Sequence, residues 1–125
     1  MYFDFIDSEV AACSWEDGRF QLRFSAARLL DAQDRYAEPV WAPLTLWAEQ
    51  VEPWEASQPV HCMGRLRRGV VLHASQRLKH LPVPCELQGV ITMELEFAQG
   101  DVVHVRCGQL SLHPVHGHAT GAYQC

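Results

Sequence analysis

The chain has 125 residues, of which 48% are hydrophobic and 20% are charged, and its formal net charge is −5. This balance is ordinary for a folded protein and excludes an intrinsically disordered chain. The length favours one domain, which would bury roughly two thirds of the surface that the unfolded chain exposes. The overall acidity argues against nonspecific binding along nucleic acid.

The N-terminal sequence predicts no export signal. Residues 1–7 read MYFDFID, which has neither the basic start nor the apolar core of a secretory signal peptide. Apolar runs elsewhere are too short to span a membrane as a helix. We therefore expect a cytoplasmic protein.

The first predicted element is an antiparallel hairpin over Glu9–Ser25. Asp17-Gly18 is a strong hairpin signal, because a type I′ turn needs a positive φ at both central residues. One face then carries the pairs Trp15–Phe20, Cys13–Leu22 and Ala11–Phe24, and the other carries Glu16–Arg19, Ser14–Gln21 and Ala12–Arg23. Because side chains alternate along a strand, this register separates an apolar from a mostly polar face and places Trp15 in the core.

The segment that follows allows two interpretations. Residues 26–39 could form a short helix that ends at Pro39, or the first hairpin could continue to Leu30. A strand is then predicted over Leu44–Val51, flanked by prolines. Trp54 lies in the predicted loop after it and is the tryptophan most expected to be exposed, where it would anchor a partner.

The second predicted hairpin covers Val60–Ala74. Arg67-Arg68-Gly69 is interpreted as its three-residue loop, with Gly69 in the left-handed conformation that such loops favour. Together with Arg65, the two loop arginines would form a basic hairpin tip.

The charges are segregated around this tip. Residues 1–55 contain eleven acidic and four basic side chains, residues 56–85 contain five basic and no acidic ones, and residues 86–125 contain four acidic and one basic. The candidate partner-binding residues are Arg65, Arg67, Arg68, Arg77, Lys79 and, from the loop before them, Trp54. Guanidinium groups suit carboxylates and phosphates, so we expect an acidic protein surface as partner. The alternatives are a solvated turn that prevents edge-to-edge pairing and, least favoured, a local nucleic-acid contact.

The third predicted hairpin covers Ile91–Leu112, after an extended connector at 81–84 in which two prolines cannot donate ladder hydrogen bonds. Its loop is predicted at Gln99-Gly100-Asp101, which requires Asp101 to adopt a positive φ. The resulting inward pairs are Phe97–Val103, Leu95–Val105 and Met93–Cys107, and the outward pairs are Glu96–His104 and Glu94–Arg106. Opposite charges would therefore face each other across the strands on the solvent side.

Cysteines and histidines are the remaining candidates for chemistry. The five cysteines are Cys13, Cys62, Cys85, Cys107 and Cys125, and none forms a C-x-x-C motif, so we expect reduced thiols packed as small apolar groups. The C-terminal residues 113–125 are predicted to be an irregular tail that contains His113, His116 and His118. Such imidazoles can share zinc or nickel, but a glycine-containing tail offers little rigid support. We expect neither a metal site nor a cofactor.

These observations predict one all-β domain over residues 1–125, a sandwich or small barrel of about seven or eight strands built from three hairpins and at most one short helix. No catalytic motif is present, so we expect a non-enzymatic protein that acts by protein–protein interaction, of the bacterial or phage-type accessory, immunity or inhibitor class. The alternative is a β-barrel carrier of a small ligand. Segregated charge also makes a homodimer a reasonable expectation.

Overall fold

The computed structural model describes residues 1–52 and 62–115. In those ranges the regular secondary structure consists of β-strands. The strands are β1 (Tyr2–Glu16), β2 (Arg19–Leu30), β3 (Val40–Glu49), β4 (Gly64–His73), β5 (Gln76–Leu78), β6 (His80–Pro82), β7 (Cys85–Phe97) and β8 (Val102–Pro114). Six of these described strands close an antiparallel barrel in the order β1-β2-β3-β8-β7-β4, while β5 lies beside β4 and β6 beside β1. The predicted all-β class is confirmed. The described ranges contain no helix with the length and apolar character to cross a membrane.

Large apolar side chains fill the barrel interior. The bulkiest fully buried ones are Phe3, Phe5, Phe20, Phe24, Phe97, Leu22, Leu44, Leu46, Leu66, Leu81, Ile91 and Met93. They come from β1, β2, β3, β4, β6 and β7, mostly at alternate positions, as the period of two in a half-buried strand requires. Burying this set is the main stabilising contribution to the fold.

The first hairpin has the predicted turn and most of the predicted register. Asp17 and Gly18 have φ values of 51° and 76°, and all the predicted pairs form except one. A bulge in β1 places Val10, instead of Ala11, opposite Phe24.

Two further outcomes concern the ends of this hairpin. It continues to Leu30, so the extension is correct and the short helix is not. Trp15 is 37% exposed, and its predicted core position is therefore wrong. The ladder between β1 and β4 ends at Val10. In the described ranges, therefore, no strand pairs with the β4-facing edge of β1 beside Trp15.

The second predicted hairpin, over Val60–Ala74, is wrong. Strand β4 runs without a turn through Arg67, Arg68 and Gly69, and the chain reverses instead at 74–75 before β5. The basic hairpin tip therefore does not exist. Gly69 is not among the residues with positive φ; its role is steric, because a Cβ there would lie 2.6 Å from Cγ of Phe5.

The third hairpin is confirmed with a shifted register. Its loop begins one residue earlier, so Gly100, with a φ of 104°, takes the left-handed position that was predicted for Asp101. The observed inward pairs are Leu95–Val103, Met93–Val105 and Ile91–Cys107, and the outward pairs are Glu94–His104, Glu96–Val102 and Thr92–Arg106. Each partner moved by two residues, and an even shift leaves every side chain on its predicted face.

Three other boundaries differ from prediction. Strand β3 begins at Val40, earlier than the predicted Leu44, and therefore includes Pro43, the proline expected just before the strand. Part of the predicted connector at 81–84 belongs to β6, which pairs with the start of β1. Strand β8 includes His113 and Pro114, which were assigned to the tail.

Candidate functional site

The barrel closes through a short seam between β1 and β4. Within the described ranges these strands pair at Glu9–Arg65 and Val10–Gly64 alone. Beyond that point the ladder between them stops, although Gly69 of β4 still lies against Phe5 of β1, and β6 pairs with the start of β1 while β5 pairs with the end of β4. A groove of about 510 Å³, here called the seam groove, lies beside this unpaired stretch. It is lined by Asp4 and Ile6 of β1, Arg68, Gly69 and Val70 of β4, Arg77, Lys79 and His80 of the β5–β6 segment, Glu94, Leu95 and Glu96 of β7, and Val102 of β8.

A long bulge in β1 lies beside the groove. Asp4 pairs with Arg28 and Glu9 pairs with Ala26, so residues 5–8 of β1 lie opposite a single residue of β2. An insertion of this kind bends the strand and interrupts its ladder. The ladder between β1 and β4 therefore stops at Glu9, where the bulge begins.

Side-chain hydrogen bonds hold this bulge. The Ser8 hydroxyl donates to the carbonyl oxygen of Asp4 at 2.8 Å and accepts from the backbone N–H of Arg28 at 2.9 Å. The backbone N–H of Ile6 donates to Oδ1 of Asp4 at 3.1 Å. These bonds satisfy polar groups that the bulge removes from the ladder, as buried polar groups require.

Asp4 is a buried acid at the groove that the sequence analysis did not identify. It is 5% exposed, and its Oδ2 lies 2.6 Å from Nη1 of Arg28 and 3.6 Å from Nε2 of His80. A buried carboxylate needs such partners, because removal from water is costly for an unpaired charge. No local pattern signals this pair, since its members are 24 residues apart.

The structure separates the predicted basic residues into two groups. Arg67 and Arg68 lie on β4 and form ion pairs with Glu96 at 2.9 Å and 2.6 Å. Arg77 and Lys79 come from the β5–β6 segment that also lines the seam groove; they are exposed and make no ion pair with any residue that the structure describes. Of the predicted set, the groove thus brings together Arg68, Arg77 and Lys79; Arg65 and Arg67 do not line it, and Trp54 lies outside the described residues.

The arginines on β4 control the ionisation of Glu96. A hydrogen bond from Arg68, with a smaller contribution from Arg67, holds the pKa of the Glu96 carboxyl below its ordinary value. A lowered folded-state pKa stabilises the fold above the unfolded-state pKa, and this contribution is lost as pH falls through the folded-state pKa. Glu96 therefore supports the fold at neutral pH and ceases to do so in acid.

Substituting the stronger of these partners has a defined effect. We expect Arg68→Gln to raise the pKa of Glu96 toward its ordinary value, because the substitution removes the charge and the two guanidinium contacts of Arg68 with Oε1 of Glu96. The measurement is an NMR titration of the Glu96 side-chain carboxyl. The control is Arg23→Gln, because Arg23 is exposed on β2 and β2 pairs with neither β4 nor β7; it should leave the pKa of Glu96 unchanged. If Arg68→Gln also left that pKa unchanged, Arg68 would not be the cause of the lowered value.

The seam groove also has apolar walls. Ile6 is 44% exposed and Val102 is 43% exposed, while Val70 and Gly69 lie deeper. Exposed β-branched side chains beside charged groups are typical of surfaces that contact another molecule. The groove can therefore receive a ligand with both apolar and anionic groups.

Metal-binding and nucleophilic chemistry have little support in the described ranges. No group of three or more His, Cys, Asp and Glu side chains there is arranged to hold a metal ion. His113 lies 3.8 Å from Glu86, and His116, His118 and Cys125 lie outside the described residues. Burial raises the pKa of Cys107 to about 11 and also raises the pKa of Cys85, which is the opposite of an activated thiol.

Comparison with known proteins adds no functional assignment to this geometry. No protein-family model matches the chain, and neither curated proteins nor solved structures gave a significant match. Function is therefore inferred from the seam groove itself.

Proposed function

We propose that this protein is a non-enzymatic binding protein whose seam groove receives an acidic, partly apolar segment of another protein. The observation that carries the proposal is the placement of Arg77 and Lys79, two exposed cations on a groove wall that form no ion pair within the described ranges. Exposed charges at the rim of a binding surface attract and orient a partner of opposite sign.

The acids of the groove do not cancel this positive charge. Asp4 is paired with Arg28, and Glu96 with the arginines of β4. Glu94 lies 3.3 Å from Nδ1 of His104, which is a cation only when protonated, so at neutral pH Glu94 counts as one acid against the two cations Arg77 and Lys79. The unsatisfied charge of the groove is therefore positive, which favours carboxylates on the ligand.

The shape and the apolar walls favour an extended segment. The groove borders the stretch where β1 and β4 have no ladder pairs, and an extended chain fits beside strand edges better than a helix does. Ile6 and Val102 offer contacts for alternate apolar side chains of such a segment, since successive side chains of a strand point to opposite sides.

The barrel interior argues against the carrier alternative. Barrels that hold one small ligand commonly have eight strands, and the closed barrel here is narrower. Its interior is occupied by aromatic rings: the centroid of Phe3 lies 4.7 Å from that of Phe5 and 5.0 Å from that of Phe24. The groove on the outer surface is thus the better candidate for a binding site.

A peptide titration tests this proposal. The probe is a fluorescein-labelled peptide of alternating Glu and Leu, compared by anisotropy with a Lys–Leu peptide of equal length. We expect the acidic peptide to bind at low salt and to weaken as salt rises. In the double variant Arg77→Glu/Lys79→Glu we expect the affinity to fall by about tenfold or more, because two attractions become repulsions.

Arg23→Glu is the matched control, because Arg23 is also an exposed strand cation with no ion pair in the described ranges. Equal affinities for the double variant and the wild type would overturn the proposal. So would preferential binding of single-stranded DNA, which would make the groove a phosphate site. Light scattering that shows a dimer broken by the double variant would identify a second copy, rather than another protein, as the occupant.

A further inference from the structure

Two cysteines meet at the paired end of the seam, away from the groove. The backbone N–H of Cys62 donates to Sγ of Cys13 at 3.1 Å, and the two thiols also hydrogen-bond to each other. Cys62 is buried, and Cys13 is half-buried and packs against the core. The two sulfur atoms are therefore neighbours although the residues are 49 positions apart in sequence.

The strand register supports this proximity independently of the side chains. Strands β1 and β4 pair antiparallel at Val10–Gly64, and continuing that register by two residues places residue 62 opposite residue 12, the chain neighbour of Cys13. A residue one step from the directly opposed one has its Cα roughly 5.6–6.5 Å away, because opposed Cα atoms lie roughly 4.5–5.5 Å apart and a strand rises roughly 3.3 Å per residue. That range lies within the roughly 4.4–6.8 Å that disulfide bonds bridge.

We propose that Cys13 and Cys62 are a modification site, at which hydrogen peroxide converts the two thiols into an intramolecular disulfide. This disulfide would cross-link the barrel where β1 and β4 pair. The Cys13 thiolate attacks one peroxide oxygen, the O–O bond breaks, and a sulfenic acid and hydroxide form; the hydroxide takes up the proton that the Cys13 thiol released and becomes the first water. The Cys62 sulfur then attacks the Cys13 sulfur, and the hydroxyl group leaves with the Cys62 proton as a second water. Two thiols lose two electrons and one peroxide is reduced to two waters, so the step balances.

The environments of the two thiols set the order of the steps. The hydrogen bond with Cys13, together with burial, raises the pKa of the Cys62 thiol. Cys62 therefore stays protonated while the more exposed Cys13 meets the oxidant first. The other described cysteines have different neighbours, since Cys85 pairs with Leu112 and Cys107 with Ile91.

The disulfide would cross-link the two neighbouring barrel strands that share the fewest ladder pairs in the described ranges. Strands β1 and β4 share two ladder pairs, whereas β1 and β2 share ten. A bond between residues 13 and 62 would join β1 to the chain just before β4 and restrict the unfolded chain across the long connection between these strands. We therefore expect the oxidised protein to unfold at a temperature several degrees higher than the reduced protein.

The experiment treats the full chain with a small excess of hydrogen peroxide and maps its cysteines by mass spectrometry without reduction. We expect one linked peptide pair containing Cys13 and Cys62, and a higher unfolding midpoint that dithiothreitol reverses. Cys85→Ser, the matched control, should keep both the link and the shift. Cys13→Ser should lose both.

Several outcomes would overturn the inference. These are a link that joins either residue to another cysteine, a link between two chains, or Cys13 oxidised to sulfinic acid while Cys62 remains a free thiol. The wild-type map alone decides among them, so the result does not depend on whether a variant folds.

Discussion

Phe24→Ala will lower the free energy of unfolding by about 3–5 kcal/mol, whereas Arg23→Ala, one residue earlier, will change it by less than about 0.5 kcal/mol. Phe24 is fully buried and its ring centroid lies 5.0 Å from that of Phe3, so truncation leaves a cavity in the barrel interior. Arg23 faces solvent on the other side of β2. The two residues thus test the alternation of the strand at adjacent positions.

Chemical denaturation of the wild type and both variants makes this comparison. The expected order of midpoints places Phe24→Ala well below the other two, with an unchanged denaturant dependence. If Arg23→Ala were the less stable variant, the inner and outer faces of β2 would be inverted and the described register would be wrong.

Gly69→Ala will destabilise the barrel by about 1–3 kcal/mol or more, through overpacking. A Cβ at residue 69 would lie 2.6 Å from Cγ and 2.8 Å from both Cβ and Cδ1 of Phe5. Phe5 is fully buried, so its ring has little room to move away. The atoms of Phe5 nearest the new methyl group include Cβ and Cγ, which can move less than the far end of the ring can.

A double-mutant cycle isolates this contact. Phe5→Ala removes the contacts with Cγ and Cδ1 and keeps the 2.8 Å contact with Cβ, so adding Gly69→Ala to that variant should cost less than adding it to the wild type. Denaturation midpoints of the four proteins give the coupling energy. Additive effects would show that Gly69 is required for a reason other than the close approach of Phe5.

These two predictions also show where sequence information was sufficient and where it was not. The first hairpin was predictable because Asp17-Gly18 fixes a turn through local backbone sterics and the neighbouring residues follow from it. Gly69 was assigned to a turn because the sequence contains Arg67-Arg68-Gly69 between two apolar stretches. The residue that actually requires a glycine, Phe5, is far away in sequence, and no local rule identifies it.

The candidate site was predictable in part. The acid-free segment indicated Arg77 and Lys79, and these two residues lie in the seam groove. The hairpin tip that was expected to display Arg67 and Arg68 does not exist, because cross-strand pairing with Glu96 extends β4 through them. The groove borders the β1 bulge, which the hydrogen bonds of Ser8 hold in place, and no periodicity of the sequence predicts that bulge.

The position of the bound segment is the most direct test of the proposed binding groove. The measurement is a ¹H–¹⁵N NMR titration of the labelled protein with the unlabelled Glu–Leu peptide, which follows every backbone amide at once. We predict that the largest shift changes lie at Asp4–Ile6, Gly69–Val70 and Arg77–His80, and that they disappear in Arg77→Glu/Lys79→Glu. Largest changes on the far side of the barrel, around Trp41 on β3, would contradict the assignment of the seam groove as the binding surface.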